Sequence, residues 1–211
     1  MKLFLDSADT DAIIKRYNTG LIDGVTTNPT LIFKSGRHPH DVYNELIREG
    51  IPDISMEIVG ESEEDFFSRA INHVKEYGDH ATIKLPCSVE GLKACKRLSK
   101  VDVRVNVTLI FSPAQAILAS LAGATYISPF IGRMDDNSLD GMKLINDIKN
   151  TGVSAKILAA SIRDPQSVGT AFALGADICT VPVNVFDKMY NHVLTDKGIA
   201  QFNHDATQFL A

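Results

Sequence analysis

A single lysine, Lys84, stands inside the otherwise apolar run Ala81-Thr-Ile-Lys-Leu-Pro86. The run is short, carries Ile and Thr, follows Gly78-Asp79-His80 and ends on a proline, so it reads as a buried strand of a parallel sheet rather than a helix. Taking an ammonium out of water disfavours its charged form, and the neutral amine can attack a carbonyl carbon to give a Schiff base. The alternative for such a lysine is to snorkel from the strand end into solvent. What decides between them is the company Lys84 keeps. Asp6, Asn28, Glu57, Asn106, Thr108, Ser128 and Ser161 all fall, like Lys84, near the C-terminal ends of apolar runs. Any one of them could be a satisfied turn or cap, but their convergence argues for a site.

The elements that must position these residues can be followed along the chain. Lys2 to Leu5 reads as a first strand, and beyond Asp6-Ser7-Ala8-Asp9 the residues Ala12, Ile13, Ile14 and Tyr17 fall at helical spacing. Ile22 to Thr27 reads as a second strand, which Asn28-Pro29 turns into a short helix and then the loop Ser35 to Pro39; His40 to Glu49 reads as a helix. Ile54 to Val59 is a third strand with Ser55 and Glu57 on one face, which turns Glu57 toward the interior. Ser62-x-x-Asp65 is a near capping box opening a helix with Phe66, Phe67, Ala70, Ile71, Val74 and Tyr77 at the 3.6-residue period. After the Lys84 strand, a helix turns Val89, Leu92, Cys95 and Leu98 inward. Val103 to Ile110 follows as a fifth strand with Asn106 and Thr108 on one face.

Ser112-Pro113 starts an Ala-rich helix ending at Gly123, and Thr125 to Ile131 is a sixth strand with Ser128 and Phe130 on one side, followed by Gly132-Arg133 in its loop. Leu139, Met142, Ile145 and Ile148 mark a helix, and Ala155 to Ala160 is a seventh strand. Ser161 and Arg163 leave it before Asp164-Pro165 begins a helix that ends at Gly175. Ile178 to Val181 is the eighth strand, and the tail from Asn184 to Leu210 reads as helical with a break near Leu194 to Gly198. Eight strands alternating with helices predict an α/β fold, a (β/α)8 TIM barrel in one domain over residues 1–211, with a helical C-terminal tail at about 184–211. A doubly wound sheet is the alternative. Polar residues gathered at strand C-terminal ends favour the barrel, because that face carries the active site in such folds.

The net charge of -5 comes without a Lys/Arg cluster, which argues against nucleic acid or an anionic membrane as partner and leaves small molecules. Asp6 interrupts the apolar start before a signal-peptide core could form, and Ala116 to Ala124 is too short to span a bilayer, so a soluble, cytoplasmic protein is expected. Cys87, Cys95 and Cys179 are odd in number and form no CxxC pair, which predicts reduced thiols. The six histidines are scattered. Only His38-Pro-His40 has ligand-like spacing, away from the strand ends, and no metal site is expected.

Leu5-Asp6-Ser7-Ala8, Gly24-Val-Thr-Thr-Asn28-Pro29-Thr30 and Ile83-Lys84-Leu85-Pro86 resemble signatures of the transaldolase family, in its small branch that also contains fructose-6-phosphate aldolases, and the likeness spans nearly the whole chain. The resemblance implies that Lys84 forms the Schiff base, that Asp6 is the acid/base at the substrate's C4 hydroxyl, and that Glu57 and Thr108 position the water that shuttles protons. It gives Asn28 and Asn106 the hydroxyls of the three-carbon fragment, Arg133, Ser161 and Arg163 the substrate phosphate, and Ser128 and Phe130 places in the lining. A guanidinium fork and a helix N-terminus after Asp164 suit a phosphate. The implied reaction moves a dihydroxyacetone unit from a ketose phosphate (fructose 6-phosphate or sedoheptulose 7-phosphate) to an aldose phosphate (erythrose 4-phosphate or glyceraldehyde 3-phosphate), as in the pentose phosphate pathway, with no cofactor. The aldolase branch, which releases free dihydroxyacetone, carries glutamine and tyrosine where this chain has Glu57 and Phe130, the transaldolase pairing. A non-catalytic sugar-phosphate binder is a third reading, and the intact Lys84, Asp6 and Glu57 speak against it. Small members of the family assemble into homo-oligomeric rings, decamers among them, through their C-terminal helices.

Overall fold

The computed structural model describes residues 1–210 and is a closed barrel of eight parallel strands paired in chain order. The strands are β1 (Lys2–Asp6), β2 (Gly24–Thr26), β3 (Ile54–Glu57), β4 (Ala81–Pro86), β5 (Val105–Ile110), β6 (Tyr126–Pro129), β7 (Lys156–Ala159) and β8 (Ile178–Val181), with β8 returning to pair with β1. Between them run α1 (Thr10–Tyr17), α2 (Pro29–Ser35), α3 (Pro39–Arg48), α4 (Glu63–Tyr77), α5 (Val89–Ser99), α6 (Pro113–Leu121), α7 (Ile131–Asp136), α8 (Gly141–Asn150) and α9 (Pro165–Ala173). After the last strand come α10 (Val183–Lys188) and α11 (Val193–Leu210). The closed sheet excludes the doubly wound alternative.

Local chemistry accounts for where most of the helices start. Asp9, Asn28, Ser62, Ser88, Ser112, Asp140 and Asp164 each accept, through the side chain, the N–H three residues on. Such a cap satisfies one of the donors a helix start leaves over. In Asn28-Pro29, Ser112-Pro113 and Asp164-Pro165 the next residue is a proline, whose fixed φ suits the first helical turn.

The outward faces of the strands, among them Leu5, Met56, Ile83, Leu85, Val107 and Ile127, pack under the helices as the main core. Each such side chain contributes about 1.5–3 kcal/mol when fully buried. A smaller cluster of Phe4, Tyr126, Leu158, Ala160 and Ile178 lies apart from that core. Beside it, buried Asp53 accepts hydrogen bonds from Thr82 Oγ1 at 2.7 Å, Tyr126 Oη at 2.8 Å and Arg104 Nη1 at 3.1 Å, a polar knot that ties β4 and β6 to the residue preceding β5.

Four expectations need correction. Arg133 is carried by α7 rather than by a loop, because the chain leaves the sheet after Pro129 and Phe130 keeps a single bridge to Ala160. Val89, the first residue of α5, points outward at 69% exposure, and Leu139 precedes α8 at 55%, so their apolar character there is not core-forming. In the tail, the interruption comes before α11 instead of at Leu194 to Gly198. His192 supplies the stop and restart, its carbonyl accepting from Thr195 and Asp196 and its Nδ1 from the Leu194 N–H, after which the helix runs through Gly198.

Candidate active site

Strand register explains how Lys84 acquires its neighbours. Glu57 of β3 lies opposite Lys84 of β4, and Asn106 of β5 lies opposite it on the other side. Period-two alternation then brings all three side chains to one face. Lys84 is 4% exposed. Its Nζ forms an ion pair with Glu57 Oε2 at 2.9 Å and donates a hydrogen bond to the Thr27 carbonyl at 3.0 Å, so the snorkelling alternative does not apply.

Asp6, at the end of β1, accepts a hydrogen bond from Thr26 Oγ1 at 2.7 Å. Burial holds its carboxyl above the ordinary carboxylate value, and nearby Glu57 adds to the rise, while Lys84 and the Thr26 hydroxyl oppose it. A buried carboxyl shifted upward beside a lysine amine is a candidate for proton transfer.

Asp6, Asn28, Lys84, Ser128, Phe130, Arg133 and Ser161 line one cavity of about 110 Å³. An adjoining hollow is lined by Glu57, Thr108 and Leu109 together with Asn28, Lys84, Phe130 and Arg133. The cap on α2 occupies Asn28 Oδ1, which accepts from the Leu31 N–H at 2.9 Å and leaves the amide nitrogen for the cavity. Thr108 Oγ1 is the one buried side-chain polar atom among the described residues without a hydrogen-bond partner. A hydroxyl left so costs about 1–3 kcal/mol, which makes it a place for a polar guest. The Arg133 guanidinium sits 5.1 Å from the Phe130 ring centre, a cation–π distance, and Phe130 meets Phe111 edge to face.

Backbone shape helps bring α7 close. Gly132 packs so tightly against the Ser161 carbonyl that an added Cβ would lie 2.1 Å from its oxygen. Ser161 itself takes a left-handed φ of 60°, and Leu109 one of 61° where the β5–β6 register breaks. Non-glycine residues in that region cost of order 1–3 kcal/mol and cluster at ligand sites.

Two expected residues do not line the cavity. Asn106 is fully buried outside the lining: its Nδ2 donates to Ser55 Oγ at 3.1 Å and its Oδ1 accepts from Ser128 Oγ at 2.6 Å, so it orients Ser128. The Arg163 guanidinium is a two-pronged partner of Asp136 on α7, with its side chain 56% exposed, and it does not line the cavity. The sequence reading passed over Thr26, Thr180 and the role of Ser55. Thr26 shares its strand face with Asn28 by parity, a signal available in the sequence. Among the described residues, no group of three or more His, Cys, Asp or Glu side chains is placed to hold a metal ion.

A family model described as Transaldolase/Fructose-6-phosphate aldolase matches residues 3–211. A protein of Lactiplantibacillus plantarum named "Probable transaldolase" is 44% identical, covering 100% of this chain and 99% of its own length. Proteins given the same name from Cereibacter sphaeroides (47% identical, 97% of this chain and 95% of theirs) and Geobacter sulfurreducens (46%, 97% and 97%) are similar along almost their whole lengths.

Proposed function

The chain belongs to the transaldolase/fructose-6-phosphate aldolase family, and from that premise we propose that it is a transaldolase working through a Schiff base on Lys84. The observation that carries the reading is the buried Lys84 amine, paired with the Glu57 carboxylate and facing a cavity that it shares with Asp6. The amine adds to C2 of a ketose phosphate such as fructose 6-phosphate, and loss of water gives an iminium. Asp6 takes the C4 hydroxyl proton, the C3–C4 electrons flow into the iminium, and glyceraldehyde 3-phosphate leaves. The resulting enamine attacks the aldehyde of erythrose 4-phosphate, Asp6 returns the proton, and water hydrolyses the new iminium to free sedoheptulose 7-phosphate and the lysine. Glu57 and the unpartnered Thr108 hydroxyl hold the water that serves the addition and hydrolysis steps.

Arg133, already facing the cavity, takes the substrate phosphate with Ser161, and Arg163 joins them by exchanging Asp136 for phosphate oxygens. Glu57 and Phe130 favour transfer over release, since a phenyl ring offers a water no hydroxyl to bond. The reaction belongs to the pentose phosphate pathway in a reducing cytoplasm, a setting that suits three unpaired cysteines. No described helix is long and apolar enough to cross a membrane. Ile199, Phe202 and Phe209 of α11, each more than half exposed, would be covered in a homo-oligomeric ring.

The deciding experiment offers fructose 6-phosphate with and without erythrose 4-phosphate. Glyceraldehyde 3-phosphate should form continuously only with the acceptor. Steady release of dihydroxyacetone without it would make the protein an aldolase, and no turnover under either condition would remove the catalytic reading.

A further inference from the structure

We propose that Thr180 is a positioning residue for Asp6, acting through the Thr26 hydroxyl to keep one carboxylate oxygen as an acceptor and leave the other for the substrate proton. The inference rests on Asp6 being the acid/base. Because β1 lies between β2 and β8, Thr26 and Thr180 stand on the two strands that flank Asp6 and meet across the inside of the barrel. Their hydroxyl oxygens are 2.7 Å apart, and Thr26 Oγ1 is 2.7 Å from Asp6 Oδ1. Both threonines are 2% exposed and both line the cavity.

The direction of this chain follows from counting hydrogens. A carboxylate only accepts, so Thr26 spends its one hydrogen on Asp6 Oδ1. The contact between the two threonines is then made with the Thr180 hydrogen. Thr180 forms no other hydrogen bond among the described residues, so within the protein its hydroxyl has Thr26 as its one partner. A valine would fill the same space without a buried polar atom. With Thr180 donating to it, Thr26 remains a donor and Oδ1 remains an acceptor. The C4 hydroxyl proton is thereby directed to Oδ2, on the side from which it must be returned. Each bond also polarises the next, strengthening the donation to the anion.

The charged groups that face Asp6 are Lys84 from β4, Glu57 from β3 and, across the cavity, Arg133 from α7. β2, β6, β7 and β8 present only Thr26, Ser128, Leu158 and Thr180 to it. On the outer side α10 packs against β1, with Asp187 paired to Arg16 away from the site. Loss of the Thr180 hydroxyl therefore weakens support for the anion, leaving the Lys84 ammonium to favour it against burial and the Glu57 charge.

The test is the pH profile of kcat/KM for transfer from fructose 6-phosphate, with Thr180→Val, Thr180→Ser, Thr26→Val and the Thr26→Val/Thr180→Val pair. Thr180→Val should move the acid limb to higher pH and slow transfer at neutral pH by about fivefold, the worth of one ordinary hydrogen bond. Thr180→Ser should restore both, and Thr180→Val should cost nothing more once Thr26 is Val, because its effect runs through that hydroxyl. A profile unchanged in Thr180→Val, or losses that multiply in the double variant, would overturn the proposal. Thermal melting of each variant separates misfolding, and Thr180→Ser gives a reading even if Val folds poorly. Asp6→Asn is the independent control: if it keeps the wild-type acid limb, the role of Asp6 fails rather than the relay alone.

Discussion

Replacing Glu57 with Ala separates what holds Lys84 from what it does. The Lys84 ammonium has two partners, the Glu57 carboxylate with Oε2 at 2.9 Å and the Thr27 carbonyl at 3.0 Å. Breaking a buried ion pair from one side costs about 3–5 kcal/mol. Two features reduce that. The Glu57 side chain is 20% exposed, so water can take part of its place. Removing its charge also relieves Asp6 of a repulsion. We expect about 2–3 kcal/mol, which for a chain of this size lowers Tm by roughly 4–12 °C. Glu57→Gln keeps a carbonyl acceptor and should recover part of the loss in stability. The formation of a borohydride-trappable adduct should slow by about 10²–10⁴ in Glu57→Ala and by less in Glu57→Gln, whose amide, the residue type of the aldolase branch, can still hold the water. A Glu57→Ala protein that melts with the wild type would show that the ammonium does not depend on the pair. Full trapping rates in Glu57→Ala would remove Glu57 from the handling of that water.

Asp53→Asn should cost about 2–4 kcal/mol, softened by the partial exposure of Arg104, and lower Tm without changing KM, since its partners Thr82, Arg104 and Tyr126 lie outside the cavity lining. A shift in KM without a shift in Tm would contradict that. Arg163→Ala, whose ion pair is exposed, should leave Tm unchanged and raise KM about tenfold for fructose 6-phosphate but not for free dihydroxyacetone as donor. Equal effects on both would take Arg163 out of the phosphate site. Phe130→Tyr should increase dihydroxyacetone release relative to transfer, measured with and without erythrose 4-phosphate; an unchanged partition would mean that the ring does not govern water.

Patterns local in sequence carried the barrel itself. Caps such as Ser62 and Ser112-Pro113, the alternation around Lys84 and the end of each apolar run are set by neighbours within a few residues. What depended on closure was not legible. Thr26 reaches Thr180 only because β8 comes round to β1, and no run of residues encodes that approach. Asn106 has the right parity for the site, yet Ser55 and Ser128 from other strands take both ends of its amide. Arg163 was readable as a cation beside a strand end, but not as the partner of Asp136, which α7 delivers only when the sixth strand stops at Pro129. Val89 shows the opposite error: an apolar residue with helical spacing that the first turn leaves in solvent.

The most direct test of the central claim is borohydride reduction in the presence of fructose 6-phosphate, followed by peptide mapping. The account predicts one sugar-derived adduct on Lys84, absent in Lys84→Ala together with turnover. No adduct, or an adduct on another lysine such as Lys156 at the start of β7, would contradict it.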